Sequence, residues 1–209
     1  MTHKKIIIVG SGGHSRIVID IAKKLNFKIQ GIVDLNFKLK SNEKIIGSKI
    51  IGRIDILKKN KYRTNYIFLA IGDIKLRTKI YEKLKKDHKF VNLIDKNSTV
   101  SKSAKLGKGL LVSPGAIINA EAVVEDNTII NSNSVIEHET IIGRNCNISP
   151  SVTVGGRSII GQNSFIGLGS NIINNIKIGK NVFVGAGSLV VKDVPDNIKV
   201  LGTPAKQFK

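Results

Sequence analysis

The sequence predicts a small α/β domain followed by a parallel β-helix, on two observations. From Ile94 to Val184 every sixth residue, sixteen in all, is Ile, Leu or Val, with no insertion. Before residue 94 the pattern is different: short apolar runs alternate with stretches of helical spacing. The first pattern is the hexapeptide repeat of a solenoid, in which three hexapeptides make one triangular coil and each coil buries its inner face against its neighbours. The second implies a parallel sheet with helices on its faces.

In the first part, Lys5–Val9 reads as a buried strand, followed by the glycine-rich turn Gly10-Ser11-Gly12-Gly13-His14. Residues 15–25 have helical spacing, with Ile17, Ile21, Ala22 and Leu25 on one face. Residues 27–33 form a second predicted strand, closed by Asp34, and 36–44 a polar loop. A short helix is predicted over 54–59, a strand over 66–71 ending at Gly72-Asp73, a helix over 74–86 and a last strand over 90–93. In the second part, the aliphatic residue of each hexapeptide points into the prism. The residue four further on is mostly small, as in Ala116, Thr128, Ser134, Cys146 and Ser164, and packs beside it at a corner.

Composition excludes several classes. A chain of 209 residues with 41% hydrophobic and 23% charged residues is long enough for a core and is not a disordered composition. The single cysteine, Cys146, excludes a disulfide framework and a Cys-rich zinc site, and it occupies a packed corner position. No His/Asp/Glu spacing reads as a metal site. No apolar run reaches the ~18 residues of a membrane span, and a cytoplasmic location is expected. The net charge is +19, and residues 1–93 hold most of it, with 22 basic against 7 acidic residues. Such a domain suits anionic ligands. Most of its lysines read as solvated helix faces, and no nucleic-acid-binding signature accompanies them.

Two histidines stand in chemically suggestive contexts. His138, in Ile136-Glu137-His138-Glu139, lies two residues past an inward Ile and so at an edge of the prism. Glu139 beside it can accept from one ring nitrogen, fixing the tautomer and leaving the other nitrogen as a general base near neutral pH. The alternative is a surface histidine held between two acids. His14 closes the glycine turn, where a strand feeds a helix. Backbone N–H groups at that point suit a phosphate, although the spacing is not that of a dinucleotide fold, and a plain tight turn is the competing reading. Asp34 suits a ribose or base edge.

These segments carry a family resemblance. Val9 through His14, Ala70-Ile71-Gly72, Asn131 through Glu139 and Val200 through Lys206 make residues 4–207 resemble the bacterial nucleotide-sugar acetyltransferases of the left-handed β-helix superfamily. The likeness is greatest to the UDP-4-amino-sugar N-acetyltransferases of the bacillosamine pathway and the related sialic-acid-pathway enzymes. The resemblance implies a Rossmann-like domain over 1–93, a left-handed β-helix over 94–194 and a tail over 195–209. It implies that Gly12, Gly13, His14, Asp34 and Gly72 hold a UDP-linked amino sugar. Leu35 stands where many relatives carry a second acid. It further implies that His138 is the catalytic base and Glu139 its partner, with Asn131 and Gly156 at the sugar nucleotide. Acetyl-CoA would lie near Asn147, Leu168 and Ala186, between adjacent subunits of a homotrimer. The resemblance leaves open O-acetylation of a sugar hydroxyl and a non-catalytic scaffold.

Overall fold

The computed structural model of the chain describes residues 4–36, 43–59, 62 and 66–208. Two compact units divide at Leu93/Ile94.

The first unit is a mixed sheet in the order β3-β4-β2-β1-β5-β6, made of β1 (Lys5–Val9), β2 (Lys28–Val33), β3 (Lys44–Ile45), β4 (Ser48–Gly52), β5 (Tyr66–Leu69) and β6 (Lys89–Phe90). Only the β3–β4 pair is antiparallel. Ile6, Ile7, Ile8 and Val9 are all fully buried. Alternate residues of a strand face opposite ways, so β1 is covered on both sides, as a central parallel strand must be. Helices α1 (His14–Lys24) and α2 (Ile74–Leu84) follow β1 and β5. Ile80, Tyr81 and Leu84 of α2 share a core with Ile7 and Val9.

Several sequence expectations shift here. The buried face of α1 is Ser15, Val18, Ile19, Ile21 and Ala22, while Ile17 and Leu25 are half-buried. The i, i+3, i+4, i+7 run through Ser15 wins because Ser15 satisfies its hydroxyl on Gly12 O at 2.7 Å and can be buried. Residues 37–42 of the predicted loop lie outside the described residues, and Lys44 opens a short hairpin instead. The strand Ser48–Gly52 was not predicted. Ile54–Lys58 is a 3-10 turn, too short for an α-helix. The last strand falls at Lys89–Phe90, one residue before its predicted start.

The second unit is a β-helix. Two-residue strands recur every six residues and build three parallel sheets, in which residue i pairs with residue i+18: Ile129 with Asn147, Val135 with Thr153, Ile141 with Ile159. The inward aliphatic row from Val112 to Val184 is 0–2% exposed, so every predicted inward position in that stretch is core. The small corner residues do more than fill space. Thr128 donates to Gly143 O at 2.9 Å and accepts from Cys146 N at 3.1 Å. Ser158 and Ser164 repeat the pattern on the coils that follow. A hydroxyl there joins successive coils, which an alanine cannot do. Cys146 is fully buried, with its thiol on Gly161 O. The segment read as a tail carries Lys199–Leu201, which pairs parallel with Phe183–Val184, and Lys206–Gln207, which pairs antiparallel to it.

Candidate active site

In the first unit, the loops that leave the carboxyl ends of β1, β2 and β5 enclose a cleft of about 460 Å³. Its lining includes Gly12, Gly13, His14, Asp34 and Gly72. β1 lies between β2 and β5, so the chain turns away in opposite directions there, and an open α/β sheet leaves its ligand crevice at such a point. Gly10 adopts φ +113°, and a Cβ there would stand 2.7 Å from Ala70 O, so only glycine fits between β1 and β5. Gly12, Gly13 and Gly72 are different. A Cβ at each would meet nothing within 4 Å, so packing within the chain does not require glycine at these positions. Gly13 caps α1 with no side-chain hydrogen bond; Ser15 N and Arg16 N donate to Gly12 O and Gly13 O at 3.0 and 3.2 Å, which leaves the N–H groups of Gly12, Gly13 and His14 for a ligand.

His14 Nε2 is buried without a hydrogen-bond partner. Burial, and then the charge of Arg77, push its pKa down to about 4, so the ring is neutral at physiological pH. The buried Arg77 guanidinium donates to Ile71 O and Gly72 O and so holds the loop after β5. Asp34 Oδ1 accepts from Asn36 N at 2.8 Å, which sets the loop after β2.

In the second unit, His138 and Glu139 lie at the corner between the six-stranded and the five-stranded face. His138 Nδ1 is 3.0 Å from Glu139 Oε2. Arg157, one coil further on, donates from Nε to the same oxygen at 2.9 Å. Glu139 is held below the usual carboxylate range, first by the Arg157 hydrogen bond and then by that to His138. An ionised carboxylate only accepts, so Nδ1 carries a proton, and in the neutral ring the lone pair is on Nε2. Gly156 lies directly against the ring: a Cβ there would be 2.7 Å from His138 Cε1 and Nε2. Only a residue without a side chain leaves the ring in this position. This role for Gly156, and the presence of Arg157, were not read from the sequence. The signal was available, since 156 and 157 are one coil, eighteen residues, beyond 138 and 139.

The remaining expected residues form two further groups. Asn131 donates to Asn147 Oδ1 at 3.0 Å and to Ile148 O at 2.8 Å on the eight-stranded face. The residue expected at the sugar nucleotide thus touches one expected at the cofactor. Leu168, 57% exposed, and Ala186 stack one coil apart at the corner between the eight-stranded and six-stranded faces. Gly187 N donates to Leu168 O at 2.7 Å there. His138 and this pair therefore occupy different corners of one protomer. Among the described residues, no group of three or more His, Cys, Asp and Glu could hold a metal ion. No helix among them is long and apolar enough to cross a membrane.

A histidine paired with a carboxylate on a hexapeptide β-helix, in a chain whose other unit has a glycine-lined cleft, points to an acyltransferase class. Comparison with known proteins makes the class narrower. Residues 5–84 match the PglD N-terminal domain family, and residues 121–156 and 157–192 each match the bacterial transferase hexapeptide family (six repeats). The chain is 31% identical to perosamine N-acetyltransferase from Caulobacter crescentus, with a TM-score of 0.93 over 100% of this chain and 98% of that one. That structure is a histidine-to-asparagine variant in complex with CoA and GDP-perosamine. The acetyltransferase domain of PglB from Neisseria gonorrhoeae, in complex with acetyl coenzyme A, is 30% identical, with a TM-score of 0.91 over 99% of this chain and 100% of that one. The chain also matches the uncharacterized protein L142 of Acanthamoeba polyphaga mimivirus at 34% identity over 104 residues, half of this chain and 20% of that protein. The chain belongs to the nucleotide-sugar N-acetyltransferases of the left-handed β-helix superfamily, enzymes that take acetyl-CoA as acetyl donor.

Proposed function

We propose that this chain transfers the acetyl group of acetyl-CoA to the amine of a UDP-linked amino sugar, with His138 as general base. The observation that carries the assignment of the base is the His138–Glu139 pair over Gly156: Nδ1–H donates to an ionised carboxylate, and Nε2 is left to take a proton. The amine nitrogen attacks the thioester carbonyl, and its proton passes to His138 Nε2. A backbone N–H stabilises the oxyanion. The intermediate collapses with cleavage of the C–S bond, and the proton passes to the departing sulfur. No covalent enzyme intermediate is needed, because a neutral primary amine is already a nucleophile.

In this reading the nucleotide diphosphate binds Gly12, Gly13 and His14 at the start of α1, with Asp34 and Gly72 on either side. The N–H groups of Gly12, Gly13 and His14, which donate to no carbonyl among the described residues, support it as donors to an anion, and His14 Nε2 is left without a partner beside them. Gly156 lines the sugar beside His138, and Asn131, which sits with Asn147 on the eight-stranded face, lines it from the neighbouring subunit. Acetyl-CoA lies along Asn147, Leu168 and Ala186 between subunits of a cytoplasmic homotrimer, so one protomer's base works on a thioester at its neighbour's corner. The separation of His138 from the Leu168–Ala186 corner within one protomer supports that arrangement. GDP-perosamine in the Caulobacter relative favours a second reading, a GDP-linked acceptor.

Thiol release from acetyl-CoA, measured with UDP- and GDP-linked 4-amino sugars and with UDP-linked hydroxy sugars, tests the acceptor. Release with the UDP amine is expected. Release with the GDP amine alone moves the assignment to the second reading, and release only with hydroxy sugars overturns N-acetylation.

A further inference from the structure

Arg157 occupies the same corner position as Glu139, one coil on, and its backbone N donates to His138 O at 3.0 Å. Its Nε and His138 Nδ1 converge on one oxygen, Glu139 Oε2, at 2.9 and 3.0 Å. Both Glu139 and Arg157 have left-handed backbones, with φ of 58° and 59°. Side chains are disfavoured in that region, and Asn and Gly are the residues that tolerate it. The next coil has Asn175 there, at φ 62°. The fold by itself therefore favours Asn at 157, and the arginine is explained by what its side chain reaches. Stability does not explain it: Arg157 is 63% exposed, and an exposed ion pair contributes only about 0–1 kcal/mol.

We propose that Arg157 is a positioning residue for acetyl transfer, anchoring the Glu139 carboxylate from the adjacent coil and thereby fixing the direction and tautomer of the His138 ring. This role rests on His138 acting as the base. The anchor matters because Glu139 is itself 42% exposed, and a carboxylate held only by its own neighbour can rotate into solvent. The ring then loses its Nδ1–H acceptor, and the proton is free to move to Nε2, where it blocks the base. Holding the carboxylate from the next coil prevents both changes. Gly156, between the two, gives the ring room to lie in the direction so fixed.

Arg157→Asn is the variant of choice, because Asn fits the backbone at this corner, and Arg157→Lys keeps the charge without the planar fork. Two readouts are needed: kcat and KM in thiol release, with whichever of the UDP- or GDP-linked 4-amino sugars the wild type acetylates, and ¹H–¹⁵N spectra of the histidine ring nitrogens in the free protein. Arg157→Asn should lower kcat about tenfold, leave the acceptor KM within about twofold, and convert His138 from the Nδ1–H tautomer to a mixture. Arg157→Lys should fall between it and the wild type. An unchanged kcat, or a reduced kcat with an unchanged ring-nitrogen spectrum, overturns the role. Failure of the base reading is distinguishable: there His138→Ala retains activity. Failure of Arg157 alone leaves His138→Ala inactive and Arg157→Asn unaffected.

Discussion

Two corners of the β-helix have the same backbone and opposite chemistry. At the corner between the five-stranded and eight-stranded faces, Asn127, Asn145, Asn163, Asn181 and Asn197 all adopt φ of 55–62°. Each of the first four donates its side-chain amide to the side-chain oxygen of the next at 2.8–3.1 Å, an unbroken ladder along the prism. At the corner of His138 the equivalent left-handed positions are Glu121, Glu139, Arg157 and Asn175. The first corner repeats because its work is the same at every coil: it satisfies a strained turn and ties coils together. The second departs from the repeat over three successive coils, at Glu121, His138-Glu139 and Gly156-Arg157, and only the last two of these bring side chains together on one carboxylate. In a solenoid the repeat gives the residue that the fold requires, so a break in the repeat marks a place where something besides the fold selects the side chain.

The comparison is sharpest where activity and stability separate. His138→Ala should cost about 10²–10⁴ in rate, with an unchanged unfolding midpoint in urea. Gly156→Ala comes next. Its methyl would stand 2.7 Å from the ring, so the ring must move, and kcat should fall on the order of a hundredfold, since an ångström of misplacement costs about that much. Circular dichroism should show the fold retained. Asn145→Ala should do the reverse. Asn145 is 3% exposed, accepts from Asn127 and donates to Asn163. Losing both bonds at a left-handed position should destabilise the helix by about 2–4 kcal/mol in urea unfolding, with kcat within twofold at a temperature where the protein is folded.

The smallest expected effect concerns the other unit. His14 is held at about 4, against 6.5 for a free histidine. The unfolded chain therefore takes up a proton that the folded chain refuses. This contribution is complete above about pH 6.5 and is lost as the pH falls toward 4, amounting to at most roughly 3 kcal/mol. All three tyrosines, Tyr62, Tyr66 and Tyr81, lie in the first unit, and the chain has no Trp, so tyrosine fluorescence follows that unit alone. His14→Gln should flatten the fall in its stability between pH 6.5 and 4. Equal slopes in variant and wild type would show that His14 titrates freely.

Much of this was legible in the sequence because a solenoid writes its geometry into its period. The sixfold spacing located the inward row from Ile94 to Val184, and the offset of His138 from Ile136 put it at an edge. Of the cleft residues, the turn at Gly12-Gly13-His14 and Asp34 after the second strand were legible from the residues themselves, whereas Gly72 and the grouping of all five came with the family resemblance. Contacts between coils were not legible, because a period of six indicates the face while contact requires adding eighteen. Asn131 meeting Asn147, Gly156 beneath His138 and Arg157 on Glu139 all fall in that gap. In the first unit, Ser48–Gly52 was missed because Gly47 and Gly52 bound it so closely that its Ile pair reads as part of a loop. The buried face of α1 was shifted because Ser15 counted as polar until its bond to Gly12 O was visible.

The decisive measurement sets His138→Ala beside Asn145→Ala and records, for each, the rate of amine-dependent thiol release from acetyl-CoA and the urea midpoint. A hundredfold or greater loss of rate with an unchanged midpoint for His138→Ala, and a lowered midpoint with a retained rate for Asn145→Ala, is the result expected of one corner devoted to chemistry and one to structure. Less than a tenfold loss of rate in folded His138→Ala would contradict it and remove the base from this corner.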